Sequence, residues 1–211
     1  MQVLPVLFFA LAVSSDGFIA GLAYGINKIR IAFLPMLVIA AASALAVSCS
    51  MLLGQGIAAI LPAGSAGKAG AILLILMGLF FLLKASRDLL NNLPANENEP
   101  LVTLNLKSLG IVIKILKEPA AADMDASGEI NWQEAFFLGL ALAVDAMGAG
   151  IGIAMAGYNI LFTALTVGVL KFILVNSGIK LGKRMKNEAI RGIASFIPGI
   201  IFLVIAISEF L

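Results

Sequence analysis

Six stretches of this chain each run for about twenty mostly apolar residues, the length an α-helix needs to cross the hydrocarbon core of a bilayer. They fall at about residues 3–26, 32–54, 69–87, 135–157, 160–182 and 193–211. Inside lipid every backbone N–H and C=O must find its partner within the segment or a closed barrel, so runs of this length fold as helices. Hydrophobic residues make up 61% of the sequence and charged ones only 12%, about half the share expected of a soluble domain. The expected fold class is an all-α membrane protein with six transmembrane helices. The first run does not read as a cleavable signal, because it lacks a basic start and Asp16 interrupts it. Cys49 is the single cysteine, which rules out an intrachain disulfide.

Lysine and arginine sort the connections. Lys28 and Arg30 follow span 1, and Lys84, Arg87, Lys107, Lys114 and Lys117 follow or close span 3. Lys180, Lys183, Arg184, Lys186 and Arg191 follow span 5, whereas the opposite side carries Lys68 alone. The positive-inside rule then puts loops 27–31, 88–134 and 183–192 in the cytoplasm and both termini outside, in a plasma (inner) membrane. The net charge of +2 reflects this orientation and not a nucleic-acid partner. Three spans per half is an odd number, so the halves enter the membrane in opposite directions. The expected organisation is two inverted three-helix repeats, residues 1–90 and 135–211, around a cytoplasmic loop at 91–134.

Each half carries one aspartate in a matching frame. Asp16 stands in Ser15-Asp16-Gly17-Phe18-Ile19-Ala20-Gly21, and Asp145 in Val144-Asp145-Ala146-Met147-Gly148-Ala149-Gly150. A carboxylate at a helix centre costs about 2.5–3.5 kcal/mol to insert, so two at equivalent points mark a polar site at the midplane. Lys171 lies in the middle of span 5, too deep to snorkel, and suits an ion pair with either aspartate. Two carboxylates and one ammonium leave a residual negative charge that calls for a proton or a cation. Ser14, Ser15, Ser43, Ser48, Asn176 and Ser177 are further polar candidates, of which Ser43 and Asn176 join the expected ion site. A serine bonded to its own helix backbone is the commoner case. Oxygen ligands with no histidine favour hard ions such as Mg²⁺, Mn²⁺ or Ca²⁺. Gly17, Gly21 and Gly25, matched by Ala146, Gly150 and Ala154, form ridges of small residues that let helices approach closely, within the chain or in a homodimer.

The long loop holds a second pattern. Asp123, Asp125, Ser127, Gly128, Glu129, Ile130, Asn131 and Glu134 fit the twelve-position EF-hand loop, with glycine at the sharp turn and a final glutamate. The competing reading is a turn and a capping box, with Asn131 as N-cap and Glu134 three residues into span 4. Upstream, 91–100 reads as a linker, 101–106 as a short strand or coil, and 107–117 as a basic interfacial helix resting on headgroups. No cofactor is required by any of these motifs, although Ca²⁺ fits the loop.

The motifs Ala12-Val-Ser-Ser-Asp-Gly-Phe18 and Leu140-Ala-Leu-Ala-Val-Asp-Ala-Met147 resemble those of the manganese efflux pump (MntP-like) family of the lysine-exporter superfamily. The segment Ala122-Asp-Met-Asp-Ala-Ser-Gly-Glu-Ile130 is similar to the family's sporulation branch in particular. The resemblance implies six inner-membrane helices and export of Mn²⁺ by membrane-buried acids. It also implies an acidic residue in span 2 and a neutral one in span 5, where this chain has Ser43 and Lys171. Both departures weaken a divalent-cation site.

The leading expectation is a secondary transporter that exports a cation, not an enzyme. The alternative is a non-transporting scaffold or Ca²⁺ sensor linked to sporulation, whose buried charges hold the bundle together. An intramembrane aspartyl protease would also use two aspartates, but neither Ser15-Asp16-Gly17 nor Val144-Asp145-Ala146 has the glycine frame associated with such enzymes.

Overall fold

The computed structural model describes residues 3–62, 65–91, 119–184 and 196–210. Its helices are α1 (Val3–Ile26), α2 (Phe33–Ile60), α3 (Ser65–Asn91), α4 (Trp132–Ala141), α5 (Val144–Met155), α6 (Ile160–Gly182) and α7 (Ile197–Phe210). A 3-10 turn at Pro119–Ala122 and two short strands, β1 (Arg30–Ile31) and β2 (Glu129–Ile130), complete the described elements. The expected linker, strand and interfacial helix between residues 92 and 118 lie outside the described residues, as do Lys186 and Arg191.

Among the described residues four helices, α1, α2, α3 and α6, are long and apolar enough to cross a membrane, and α4 with α5 makes a fifth span if taken together. The chain is a multi-pass membrane protein. Three differences from the expected spans stand out. Span 4 is not one helix: α4 and α5 meet at Leu142–Ala143 and are bent by 54°. The second helix continues to Ile60, so Gly54 lies inside it and does not close it. The last apolar run, α7, is a helix of only 14 residues.

Local chemistry fixes the ends of several helices. After α5, Gly157 takes a left-handed φ of 85°. Its N–H donates to Ala154 O and that of Tyr158 to Ile153 O, the paired bonds of a Schellman cap. The same pair of bonds closes α1, from Lys28 to Gly25 O and from Ile29 to Tyr24 O, with Lys28 at φ 60°. Asn159 caps α6 by accepting from the Phe162 N–H at 2.9 Å.

α1 lies along α6, and α2 lies along the α4–α5 pair; α2 also touches α6, α3 packs on α5 and α7, and α1 packs on α7. Small residues line these seams while large apolar ones such as Leu45, Leu52, Leu76, Phe80, Val169 and Val204 face outward. This distribution follows from lipid as solvent, since close packing and not burial from water draws membrane helices together. Two apolar clusters form, one around Val6, Phe9, Phe81 and Phe202, the other around Tyr24, Met36, Ile130 and Leu138. The stretch of α1 between them carries Asp16.

Candidate functional site

Asp16 sits near the middle of α1 and Lys171 at the midpoint of α6, and the α1–α6 seam brings them together. The Lys171 ammonium donates to Asp16 Oδ1 at 2.5 Å and, more weakly, to Val13 O and Leu142 O at 3.4 Å each. Lys171 has no exposed surface, whereas the Asp16 side chain is 19% exposed. The other carboxylate oxygen, Asp16 Oδ2, is buried and has no hydrogen-bond partner. Asp16, one of the two aspartates that suited Lys171 on sequence grounds, is thus a partner of the ammonium.

Glycine makes this geometry attainable. A Cβ on Gly17 would stand 2.8 Å from Lys171 Cδ, so the lysine stem passes where any other residue would block it. One and two turns further on, Gly21 packs against Val175 O and Gly178, and Gly25 against Ile179 O and Gly182. The ridge of small residues on α1 therefore meets a second ridge on α6, and the same device recurs between α5 and α2. There Gly150 packs on Ser50 and Val47 O, while Gly54 packs on Ile151 O and Ala154. Each ridge serves a neighbour from the opposite half of the chain. Gly178 was overlooked at the sequence level and Gly182 was read only as the end of its span, although their four-residue spacing is the same small-xxx-small signal.

The remaining candidates divide. Ser15 donates to Leu11 O and Ala12 O at 2.8 Å, and Ser48 to Ala44 O at 2.8 Å; both satisfy themselves on their own helix. Ser14 reaches across to Val167 O at 3.4 Å. Ser43 is fully buried in α2, and its hydroxyl has no partner. Asn176 is half-buried away from Asp16 and lines a cavity of about 390 Å³ with Arg30, Met36, Glu129, Lys180 and Lys183. Ser177 is exposed. Asp145 occupies the first turn of α5, three residues beyond the Leu142 carbonyl; its side chain lies outside what the structure describes. Sequence reasoning missed Val13 O and Leu142 O, because main-chain acceptors leave no residue-type signal.

A second cluster lies at the start of span 4. One oxygen from each of Asp123, Asp125 and Glu134 falls within 4.8 Å of the others. Asp123 accepts from the N–H of Ser127 and of Gly128, and Asp125 from the Ser127 N–H. Hydrogen bonds from the Ser127 side chain and backbone hold the Asp125 carboxyl below the usual carboxylate range. Gly128 has φ +79°, so glycine is required at the turn. The capping box is also present: Asn131 Oδ1 accepts from Gln133 and Glu134 N–H, and Glu134 Oε2 accepts from the Asn131 N–H. Glu134 Oε1 takes the Met124 N–H at 2.8 Å, which ties the glutamate back across the loop. The capping box is thus formed, and three of the carboxylates in the loop pattern lie close together beside it. Ser127 is committed to the Glu129 carbonyl, with its hydroxyl donating at 2.9 Å.

The loop is fastened to the first half. β1 and β2 pair in parallel, Arg30 opposite Glu129 and Ile31 opposite Ile130, and the Arg30 N–H donates to Gly128 O at 2.8 Å. Tyr24, wholly buried in α1, lies within electrostatic reach of Asp123 and Glu134.

Residues 104–210 match a family model described as "Putative manganese efflux pump" (Mntp). The "Probable sporulation protein YtaF" of Bacillus subtilis is 35% identical over 207 residues, covering 98% of this chain and 99% of the relative. The "Putative manganese efflux pump MntP" of Clostridium perfringens is 26% identical over 92 residues, 44% of this chain and 43% of the relative. No solved structure matches.

Proposed function

Because the chain belongs to the manganese efflux pump (MntP) family, we propose that it is a small secondary transporter exporting a divalent cation, with Mn²⁺ as the leading cargo. The observation that carries this reading is the Asp16 carboxylate, held between two apolar clusters with one buried oxygen unpartnered. Asp16 and Asp145 are the proposed cation or proton carriers, and Ser43 adds a buried hydroxyl. The Leu142–Ala143 break supports the assignment, since interrupted helices expose main-chain oxygens to coupling ions in transporters of this kind.

Transport would proceed by rocking of one half, residues 1–90, against the other, 135–211, with six spans in all. Support for inverted repeats comes from the packing scheme, which is unchanged when the halves are exchanged. The α1–α6 seam maps onto the α5–α2 seam, and α1–α7 onto α5–α3. The contacts agree in register, because Gly21 on Gly178 corresponds to Gly150 on Ser50. The basic loops then face the cytoplasm of a plasma membrane, both termini lie outside, and the carried ion leaves the cell.

Radioactive Mn²⁺ flux in proteoliposomes tests the reading, with wild type beside Asp16→Asn and Asp145→Asn and with Ca²⁺ and Mg²⁺ as competitors. Flux abolished by both substitutions is the expected result. Absence of Mn²⁺ flux in the wild-type protein, under conditions where it is folded, would overturn it in favour of a scaffold linked to sporulation, as the name of the Bacillus relative suggests.

A second role is favoured by the convergence of Asp123, Asp125 and Glu134. This loop is proposed to bind Ca²⁺ at the cytoplasmic junction of the halves, where β1–β2 pairing would transmit its order to α1.

A further inference from the structure

The Lys171 ammonium touches three oxygens: one from a carboxylate, Asp16 Oδ1, and two from main-chain carbonyls, Val13 O and Leu142 O. Carboxylate and carbonyl oxygens are the ligands that hard metal cations take. The ammonium is wholly buried, its stem fits only because residue 17 is glycine, and its three acceptors come from both halves of the chain. The second carboxylate oxygen, Asp16 Oδ2, is left without a partner.

We infer that Lys171 is a tethered cation that takes the cargo's place at Asp16, so that the lysine and a carried ion hold this carboxylate in mutual exclusion. A divalent ion and an ammonium on one carboxylate would leave net positive charge in an apolar interior, which burial strongly opposes. Lys171 therefore sets the affinity and charge selectivity of the Asp16 side of the site. Among the described residues such a device is seen at Asp16 alone. In the register of the helix seams, Lys171 lies seven residues before Gly178 as Ser43 lies seven residues before Ser50. The counterpart of the ammonium is thus the uncharged, unpartnered Ser43 hydroxyl. The inference rests on the transport reading for the identity of the ion, and on geometry alone for the exclusion.

The test is Mn²⁺ binding to the purified full chain in detergent, read from the loss of the free-ion paramagnetic resonance signal. An Asp123→Asn/Glu134→Gln background removes the loop as a second binder. In that background, Lys171→Met and Lys171→Gln are each measured with and without Asp16→Asn. Gln retains a hydrogen-bond donor for Asp16 without the charge, so it preserves the fold where Met does not. Removing the ammonium is expected to tighten Mn²⁺ binding about tenfold or more, the size of effect that a neighbouring charge has on a carboxylate. The gain should vanish when Asp16→Asn is added. Unchanged affinity in folded Lys171→Gln protein, or a gain that survives Asp16→Asn, overturns the inference. Failure of the two readings is distinguishable. Tighter binding without wild-type flux retains the exclusion and sinks export, whereas Asp16-dependent flux with unchanged binding in both lysine variants sinks the exclusion alone.

Discussion

The Lys171 ammonium and the Asp16 carboxylate, 155 positions apart in the chain, meet at 2.5 Å in the seam between α1 and α6. Their contact joins the two halves of the chain, with Lys171 wholly buried.

Removing either partner alone leaves its mate buried and uncompensated. Asp16→Asn and Lys171→Met are each expected to cost about 3–5 kcal/mol. The Asp16→Asn/Lys171→Met double variant should recover most of that loss. Unfolding of the four proteins in mixed micelles gives the coupling energy directly. A double variant as unstable as the sum of the singles would mean that the pair contributes nothing beyond its separate parts.

The glycine seams separate two kinds of glycine. A Cβ at Gly21 would collide with backbone at Val175 O and Gly178, so Gly21→Ala forces α1 and α6 apart and should cost about 1–3 kcal/mol. Gly56 in α2 has open space around it, and Gly56→Ala should stabilise its helix by up to about 1 kcal/mol. Thermal melts of the two variants, with Mn²⁺ flux for Gly21→Ala, check the contrast.

Ser43→Ala carries opposite signs for two roles. The hydroxyl is buried without a partner, so its removal should stabilise the protein by about 1–3 kcal/mol, the usual cost of an unsatisfied buried group. The expected companion result is weaker Mn²⁺ binding, because the same oxygen is proposed as a ligand. A gain in stability with unchanged Mn²⁺ affinity would remove Ser43 from the site.

Trp132 lies within the Asp123–Glu134 loop and is positioned to sensitise bound Tb³⁺. Luminescence displaced by Ca²⁺ is expected, with affinity falling at least about tenfold in Glu134→Gln. Gln keeps one acceptor oxygen for the Asn131 N–H of the capping box but none for the Met124 N–H, so circular dichroism of the same variant separates loss of the carboxylate from a frayed helix. The pH dependence has a definite sign. The Asp125 carboxyl lies below its ordinary value of 3.8 in the folded loop. Its contribution to loop order is therefore complete above that ordinary value and lost only as pH falls through the depressed one. The Asp125 contribution to Tb³⁺ binding should therefore be flat from neutral pH down to 3.8 and decline only below it.

Particular residues show how far the sequence could be read. The two aspartates in apolar runs, the lysine in the middle of another, the small-residue ridge on α1 and the twelve-residue loop all stood out, because each violates or fulfils a composition rule for its place. Lys171 was recognisable as a partner for Asp16 or Asp145, but placing it against Asp16 required knowing that α6 lies along α1. The break at Leu142–Ala143 contains neither glycine nor proline, so no local signal announces it. The β1–β2 pairing was likewise unreadable, since two residues per strand carry no periodicity.

By itself the sequence determined that apolar runs must become membrane helices, because lipid offers the backbone no other hydrogen-bond partner. It also determined which residues are too polar to lie there without a reason. Which charge meets which, and which glycine ridge receives which neighbour, was decided only by tertiary packing. Those contacts join residues more than a hundred positions apart, and they depend on how closely two backbones approach.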